Sequence, residues 1–354
     1  MRTHRAEGGR IATRDGGDPP SSVPSAAYGD KRIMMIHRQT PLVQALSLSV
    51  SLGKDIHLKM DAAQPTGSFK ARGVGHACMV HRNRGARRFV SSSGGNAGLA
   101  VAHAGRKLGV PVVVVVPSTT SQRAKTMIGL EKAEIVVHGS SWTEANEYAL
   151  SMLSQADAFI HPFDDPLLWT GHATLVDELR AEGEKPDAIV LSVGGGGLLC
   201  GVAEGLDRNG WGDVPIVAVE TRGADSFAQA VAAGQPTTLA RIDSIATSLG
   251  AKTVCRRALE VVQSHRIESV VVSDAEAVEA CLRLMDDHRV VVEPACGASL
   301  AALTQSRTVL QSAGRIVVIV CGGVGASAED LFRWRASFAG ESTSPAAAEA
   351  HVPR

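Results

Sequence analysis

Short runs of β-branched and aliphatic residues recur along the chain, each separated from the next by a stretch of helical character. They read RRFVSSS, PVVVVVP, AEIVVHG, DAIVLSV, PIVAVE, SVVVSD and RIVVIVC. Strands that alternate with helices fold into a largely parallel sheet covered on both faces, because each parallel crossover lays a helix on the sheet. The fold class is therefore α/β. Three runs pass directly into glycines or small hydroxyl residues, in FVSSSGGNAG, IVLSVGGGGLLCG and VVIVCGGVGAS. Ligands of open parallel sheets sit at these carboxyl ends of the strands.

Composition narrows what the ligand can be. The 354 residues carry 36 Lys+Arg against 36 Asp+Glu, so the net charge is zero. Nothing in that balance recommends nucleic acid or an anionic membrane surface, and a small molecule is the expected partner. The chain is 44% hydrophobic but only 4% aromatic, which suits a core of Val, Leu, Ile and Ala. Its six cysteines are widely spaced and contain no CxxC pair, so reduced thiols in a cytoplasmic protein are expected. VPVVVVVP, the longest apolar run, is too short to span a bilayer. Residues 1–34 and 335–354 read as disordered tails.

Two glycine-rich strand ends offer backbone amides to an anion. Gly194, Gly195, Gly196 and Gly197 lie between a strand and a helix, where amides can approach a phosphate without side-chain obstruction. The same run also reads as a tight strand-to-helix turn. It lacks the Lys-Ser/Thr ending of a nucleotide-binding P-loop. SSSGGNAG, Ser91 to Gly98, suits a carboxylate but reads equally as a helix-capping cluster. CGGVGASA formally matches a dinucleotide-binding pattern, yet no later strand completes the βαβ unit. His76, Cys78 and His81 do not make a zinc site, since 3.6 residues per turn points the two histidines apart.

Lys70, in QPTGSFKARG, stands between a flexible turn and a helix. Alone it reads as a solvated lysine, and Phe69 as ordinary core. Beside a phosphate cradle and a carboxylate loop, the lysine makes sense as the amine that holds pyridoxal phosphate as a Schiff base, with Phe69 flanking the ring.

Residues 36–330 resemble the fold type II pyridoxal-phosphate enzymes, which are tryptophan synthase β-like, and specifically their catabolic L-serine/L-threonine dehydratase subgroup. The resemblance rests on TPL, KMDAAQPTGSFKARGVGH, SSSGGNAG, VVPSTT, PFDDPLLWTGHATL, LSVGGGGLLCGV, WGDVPIVAVET, VEPACGASLAA and VVIVCGG. It implies two domains with parallel-rich twisted sheets flanked by helices. Residues 35–63 and 166–334 would form the large cofactor-binding domain, and 64–165 the small one. It also implies a homodimer and a lyase acting on an amino acid, releasing pyruvate and ammonia from L-serine and 2-oxobutanoate from L-threonine.

The resemblance further assigns residues. Lys70 and Ser93 are catalytic; Lys70, Phe69, Asn96, Gly194 to Gly197 and Cys321 bind the cofactor. Ser93, Gly94, Gly95 and Asn96 bind the substrate carboxylate, and Cys321 faces the pyridine nitrogen as a neutral thiol. Glu220, Ala224, Leu249 and Ala251 match a region that holds a monovalent cation, with potassium expected. Val324 departs from the pattern, standing where many members place a small polar residue. Serine racemisation and β-replacement on the same scaffold are the nearest alternatives, although Asn96 is followed by Ala-Gly and not by the histidine usual in racemases. A nucleotide-binding, non-catalytic regulator is the remote one, disfavoured by Lys70.

Overall fold

The computed structural model describes residues 35–305 and 308–342. Its strands in chain order are β1 Leu42–Gln44, β2 Asp55–Lys59, β3 Arg88–Ser91, β4 Val112–Val116, β5 Glu134–Val137, β6 Asp157–Phe159, β7 Ala188–Ser192, β8 Ile216–Thr221, β9 Ile267–Val272 and β10 Arg315–Ile319. They form a six-stranded sheet in the order β1-β2-β10-β7-β8-β9 and a four-stranded sheet in the order β5-β4-β3-β6. Among these strands only the β1–β2 pair is antiparallel. Residues 88–159 supply the smaller sheet, whereas 42–59 and 188–319 supply the larger.

Every β-branched run read from the sequence is a strand. The central strands β4 and β7 are buried along their whole length, which explains why they read as continuous apolar runs and not as an alternation. The strands not anticipated are β1, β2 and β6, of which β1 and β6 have three residues each.

Two helices that carry site residues rest on a third. Helix Pro166–Glu182 begins with Asp165 accepting from the Leu167 amide at 2.7 Å and with proline in its first turn, a favourable start because proline has no amide to leave unpaired. Helix Lys70–Asn83 crosses it at Gly73, where a Cβ would stand 2.5 Å from the Leu168 carbonyl. Helix Gly197–Arg208 crosses it at Gly201, where a Cβ would stand 2.4 Å from His172 Cβ. These contacts are closer than side chains permit, so the two glycines set how near the lysine helix and the glycine-loop helix approach. His172, buried between them, accepts from the Gly73 amide at 3.2 Å. Burial holds its ring well below the ordinary histidine value and so neutral.

The expected C-terminal tail, 335–354, is corrected in its first part. Helix Ala328–Ser342 continues through that point. Leu331, Trp334 and Phe338 recur at helical spacing and pack on the main core, which holds the segment in place. Residues 1–34 and 343–354, also expected as tails, lie outside the described residues.

Candidate active site

Lys70 is placed by the end of β10. The loop that precedes it is bonded to that strand end by Ala62 N to Val320 O (2.9 Å), Phe69 N to Cys321 O (3.0 Å) and Gly323 N to Gly67 O (2.8 Å). Lys70 then opens its helix, and its Nζ donates to the Pro162 carbonyl at 2.6 Å. The ammonium also lies 5.0 Å from the Phe69 ring centroid. Burial lowers the Lys70 pKa to about 8, against the opposing pull of Cys321 and Glu293. A lysine so placed reaches its neutral, nucleophilic form near physiological pH.

The glycine run connects β7 to helix Gly197–Arg208. Gly196 takes φ +94°, a left-handed conformation that glycine alone adopts without strain. A Cβ on Gly195 would stand 2.2 Å from the Phe163 ring, and one on Gly197 would stand 2.7 Å from the Phe163 carbonyl. Phe163 is fixed by Trp169 Nε1, which donates to its carbonyl at 2.9 Å. Among the described residues, no protein group accepts from the amides of Gly194, Gly195 or Gly196, although Gly196 is buried. Buried amides normally have partners, and a row of unpaired ones at a helix start is what an anionic phosphate fits.

The second loop follows β3. Gly95 occupies the N-cap of helix Asn96–Leu108 without a side-chain capping bond. The cluster SSSGGNAG therefore does not cap through a side chain of its own at that position, and the first turn stays open to an anion. Ser93 Oγ accepts from the Gly95 amide at 3.3 Å. Gly98 is required for close approach, because a Cβ there would stand 1.8 Å from the Ser93 carbonyl.

Asn96 ties this loop to the other side of the site. Its Nδ2 donates to Glu293 Oε1 at 2.9 Å and to Ser248 Oγ at 3.3 Å, and its Oδ1 accepts from the Val324 amide at 3.1 Å. Val324 thus contributes through its backbone, a contact indifferent to the apolar side chain. Glu293 Oε2 accepts in turn from the Gly325 amide at 2.9 Å. Burial raises the Glu293 carboxyl, partly offset by hydrogen bonds from Ser248, Gly325 and Asn96 and by Lys70 nearby. Sequence reading did not single out Glu293, Ser248 or Phe163. Phe163 and Glu293 lie within the quoted motifs PFDDPLLWTGHATL and VEPACGASLAA, but the partners that give all three their place are distant in the chain.

Cys321 lies two residues beyond β10 with its thiol buried. A hydrogen bond with Cys296, and then burial, push the thiol well above its ordinary value, so it stays neutral. His161, beside Lys70, accepts from the Phe163 and Asp164 amides at 3.2 and 2.7 Å. Burial and then Lys70 lower its pKa to about 4. The site thus presents one amine, one neutral thiol, neutral imidazole and two sets of open amides.

Glu220 lies apart, on β8, with its two oxygens accepting from the Phe227 and Ala228 amides at 2.8 and 2.7 Å. Burial pushes its carboxyl up to about 8, and among the described residues no cationic side chain offsets the cost. Ala224 bridges back to Thr221, while Leu249 closes a 3-10 turn followed by Ala251. No hydrogen bond joins Glu220 to Leu249 or Ala251 among the described residues. Among those residues, too, no group of three or more His, Cys, Asp and Glu is gathered as a metal site would require, and no helix is long and apolar enough to cross a membrane.

Comparison with known proteins gives concordant results. A family model described as pyridoxal-phosphate dependent enzyme matches residues 33–322. The human protein named L-serine dehydratase/L-threonine deaminase is 48% identical over 310 residues, covering 84% of this chain and 94% of its own. A mouse protein named serine dehydratase-like is 49% identical over 306 residues, covering 83% and 93%. Among solved structures, a fungal L-serine ammonia-lyase from Rhizomucor miehei superposes with a TM-score of 0.81 at 36% identity, covering 86% of this chain and 99% of that one. Maize serine racemase superposes with a TM-score of 0.79 at 26% identity, covering 88% and 96%.

Proposed function

Because the chain belongs to the pyridoxal-phosphate dependent enzyme family, we propose that it is an L-serine/L-threonine ammonia-lyase, forming pyruvate and ammonia from L-serine and 2-oxobutanoate and ammonia from L-threonine. The observation that carries the reading is Lys70, with its pKa lowered to about 8, in a site that also holds a glycine loop of unpaired amides. The printed names of the human relative and the fungal structure support the same reaction.

The residues fit the cofactor. When bound, pyridoxal phosphate supplies a conjugated ring that takes up the charge left at the substrate α-carbon. Lys70 would tether the group, and its neutral Nζ would be the base for the substrate's α-proton. Gly194 to Gly197 would hold the phosphate, Phe69 would contact the ring, Asn96 would bind its 3'-oxygen and Cys321 its nitrogen. The amides from Ser93 to Asn96 orient the substrate carboxylate. Hydroxide leaves poorly, so a proton must reach the β-oxygen, and Ser93 Oγ is the chain's hydroxyl at that loop. The released enamine then hydrolyses in water.

The buried, cation-free surroundings of Glu220 support potassium held by Glu220, Ala224, Leu249 and Ala251. Exposed Leu46 and Val50, at 65% and 76% relative exposure, support a homodimer, which sedimentation measures. The absence of any disulfide among the described cysteines supports a reducing cytoplasm, and the zero net charge supports a partner set without nucleic acid.

The test is 2-oxo acid release by the cofactor-loaded protein from L-serine and from L-threonine, in potassium and then in sodium buffer. Pyruvate from serine is expected, with higher turnover in potassium. D-serine instead of pyruvate, or capture of added sulfide, would replace dehydration by racemisation or β-replacement. Gly195→Ala provides a second check: the new methyl meets the Phe163 ring, so cofactor affinity should fall by about tenfold or more. Unchanged affinity in a fluorescence titration would remove the glycine loop from the cofactor site.

A further inference from the structure

Two thiols with no part in this chemistry lie behind the glycine loop. Cys200 is in the first turn of helix Gly197–Arg208, and Cys255 is the N-cap of helix Arg256–Ser264. Both are buried, and their sulfurs stand 3.8 Å apart. Their backbones clasp the loop itself: Cys200 N donates to Gly196 O at 2.9 Å, and Cys255 N donates to Gly195 O at 3.0 Å. A Cβ on Gly196 would stand 3.0 Å from Cys255 Sγ, so this sulfur packs against the loop backbone at Gly196.

We propose that Cys200 and Cys255 form a reversible disulfide under peroxide that deforms the glycine loop and releases the cofactor. A disulfide needs its sulfurs about 2.05 Å apart, so from 3.8 Å the pair must close by roughly 1.7 Å. The two residues that move are those whose amides hold the Gly195 and Gly196 carbonyls. A displacement of about 1 Å in a positioning element costs on the order of 100-fold in rate.

The chemistry balances with peroxide as oxidant. Cys255 Sγ, as thiolate, attacks one peroxide oxygen; the O–O bond breaks, and hydroxide takes up the thiol proton and leaves as water. Cys200 Sγ then attacks the sulfenic sulfur, the S–O bond breaks, and a second water departs with the Cys200 proton. Two thiols are oxidised and one peroxide is reduced to two waters. Cys255 suits the first role, because the hydrogen bond from Cys200, and then the Ala258 amide in the helix's first turn, hold its thiol below the ordinary value despite burial.

The inference rests on the reading that Gly194 to Gly197 hold the cofactor phosphate, and its test separates the two. The cofactor-loaded full-length protein is treated with hydrogen peroxide, quenched with catalase, alkylated, and divided between peptide mass mapping and measurement of retained cofactor absorbance. The expected result is a Cys200–Cys255 linked peptide, cofactor retention lowered by about tenfold or more, and, with dithiothreitol and added pyridoxal phosphate, loss of the link and recovery of bound cofactor. Cys200→Ala, and independently Cys255→Ala, should retain cofactor under the same peroxide. Three results would overturn the proposal: no such linked peptide, a link formed with cofactor retention unchanged, or equal cofactor loss in the alanine variants. Linkage of Cys296 to Cys321 in its place would do the same. Reduced protein that takes up no cofactor at all would instead strike the reading beneath it.

Discussion

Lys70→Ala lowers 2-oxo acid release from L-serine and L-threonine by about 10⁴-fold or more, because one substitution removes both the tether and the general base. The loss is chemical and not a loss of fold. An amine whose pKa falls to about 8 in the native state binds fewer protons there than in the unfolded chain between pH 8 and its ordinary value of 10.5. Its contribution to stability therefore rises with pH across that window, and at pH 7 the buried ammonium is at its least favourable. Lys70→Ala should accordingly unfold no earlier than the wild type at pH 7, as calorimetry would show. The same pKa sets cofactor capture. The neutral amine is a minor form at pH 7 and the major one above pH 8, so the rate of cofactor uptake by the reduced, cofactor-free protein should rise with pH and level off past about 8. Turnover retained in Lys70→Ala would end the assignment, and an uptake rate flat from pH 6 to 9 would show that Lys70 does not titrate where its burial places it.

What the sequence makes legible here is local chemistry at strand ends. FVSSSGGNAG and IVLSVGGGGLLCG announce both a strand and a candidate ligand loop, because an apolar run and the glycines after it are adjacent in the chain. The strand β2, DIHLK, was hidden by its charges. Its Lys59 is fully buried in the larger sheet, held by Glu182 at 2.8 Å from 123 residues away, and no local pattern predicts a buried ammonium. Glu293 was hidden in the same way. In VEPACG it reads as an acid at a helix start, and only folding brings it to Asn96, 197 residues distant. The unread end of helix Ala328–Ser342 has a different cause: Leu331, Trp334 and Phe338 do repeat at helical spacing, but among polar neighbours. Pairwise satisfaction of buried charge across the chain is thus the information that composition and spacing do not carry.

The largest stability effect should come from Arg72, two residues beyond Lys70. Its guanidinium is fully buried and forked on both sides: Nε and Nη2 donate to Asp61 at 2.7 and 2.8 Å, while Nη1 and Nη2 donate to Glu178 at 2.6 and 2.8 Å. Thr40 Oγ1 also accepts from Nη2 at 3.0 Å, and Lys59 pairs with the same Glu178 at 3.0 Å. The group therefore joins the end of β2, the lysine helix and helix Pro166–Glu182. Burial disfavours its charge, yet the hydrogen bonds that Arg72 donates to Glu178 and Asp61 hold it above its ordinary value. Removing one partner leaves Asp61 buried without its counter-charge, which costs about 3–5 kcal/mol, whereas replacing a whole buried network with apolar groups can be neutral. Arg72→Ala should lower Tm by about 5–10 °C. Arg72→Lys should recover only part of the loss, since an ammonium keeps the charge but not the two-sided fork. The pH dependence follows from Glu178, whose carboxyl Arg72 and Lys59 hold below its ordinary value of 4.5 against the opposing effect of burial. That contribution is complete above pH 4.5 and is lost as pH falls through the lowered native value, so the gap between wild type and Arg72→Ala should narrow in acid. Calorimetry at pH 7 and then in steps below pH 4.5 measures it. An Arg72→Ala protein that melts with the wild type at pH 7 would mean that this charge network does not hold the lysine helix in place.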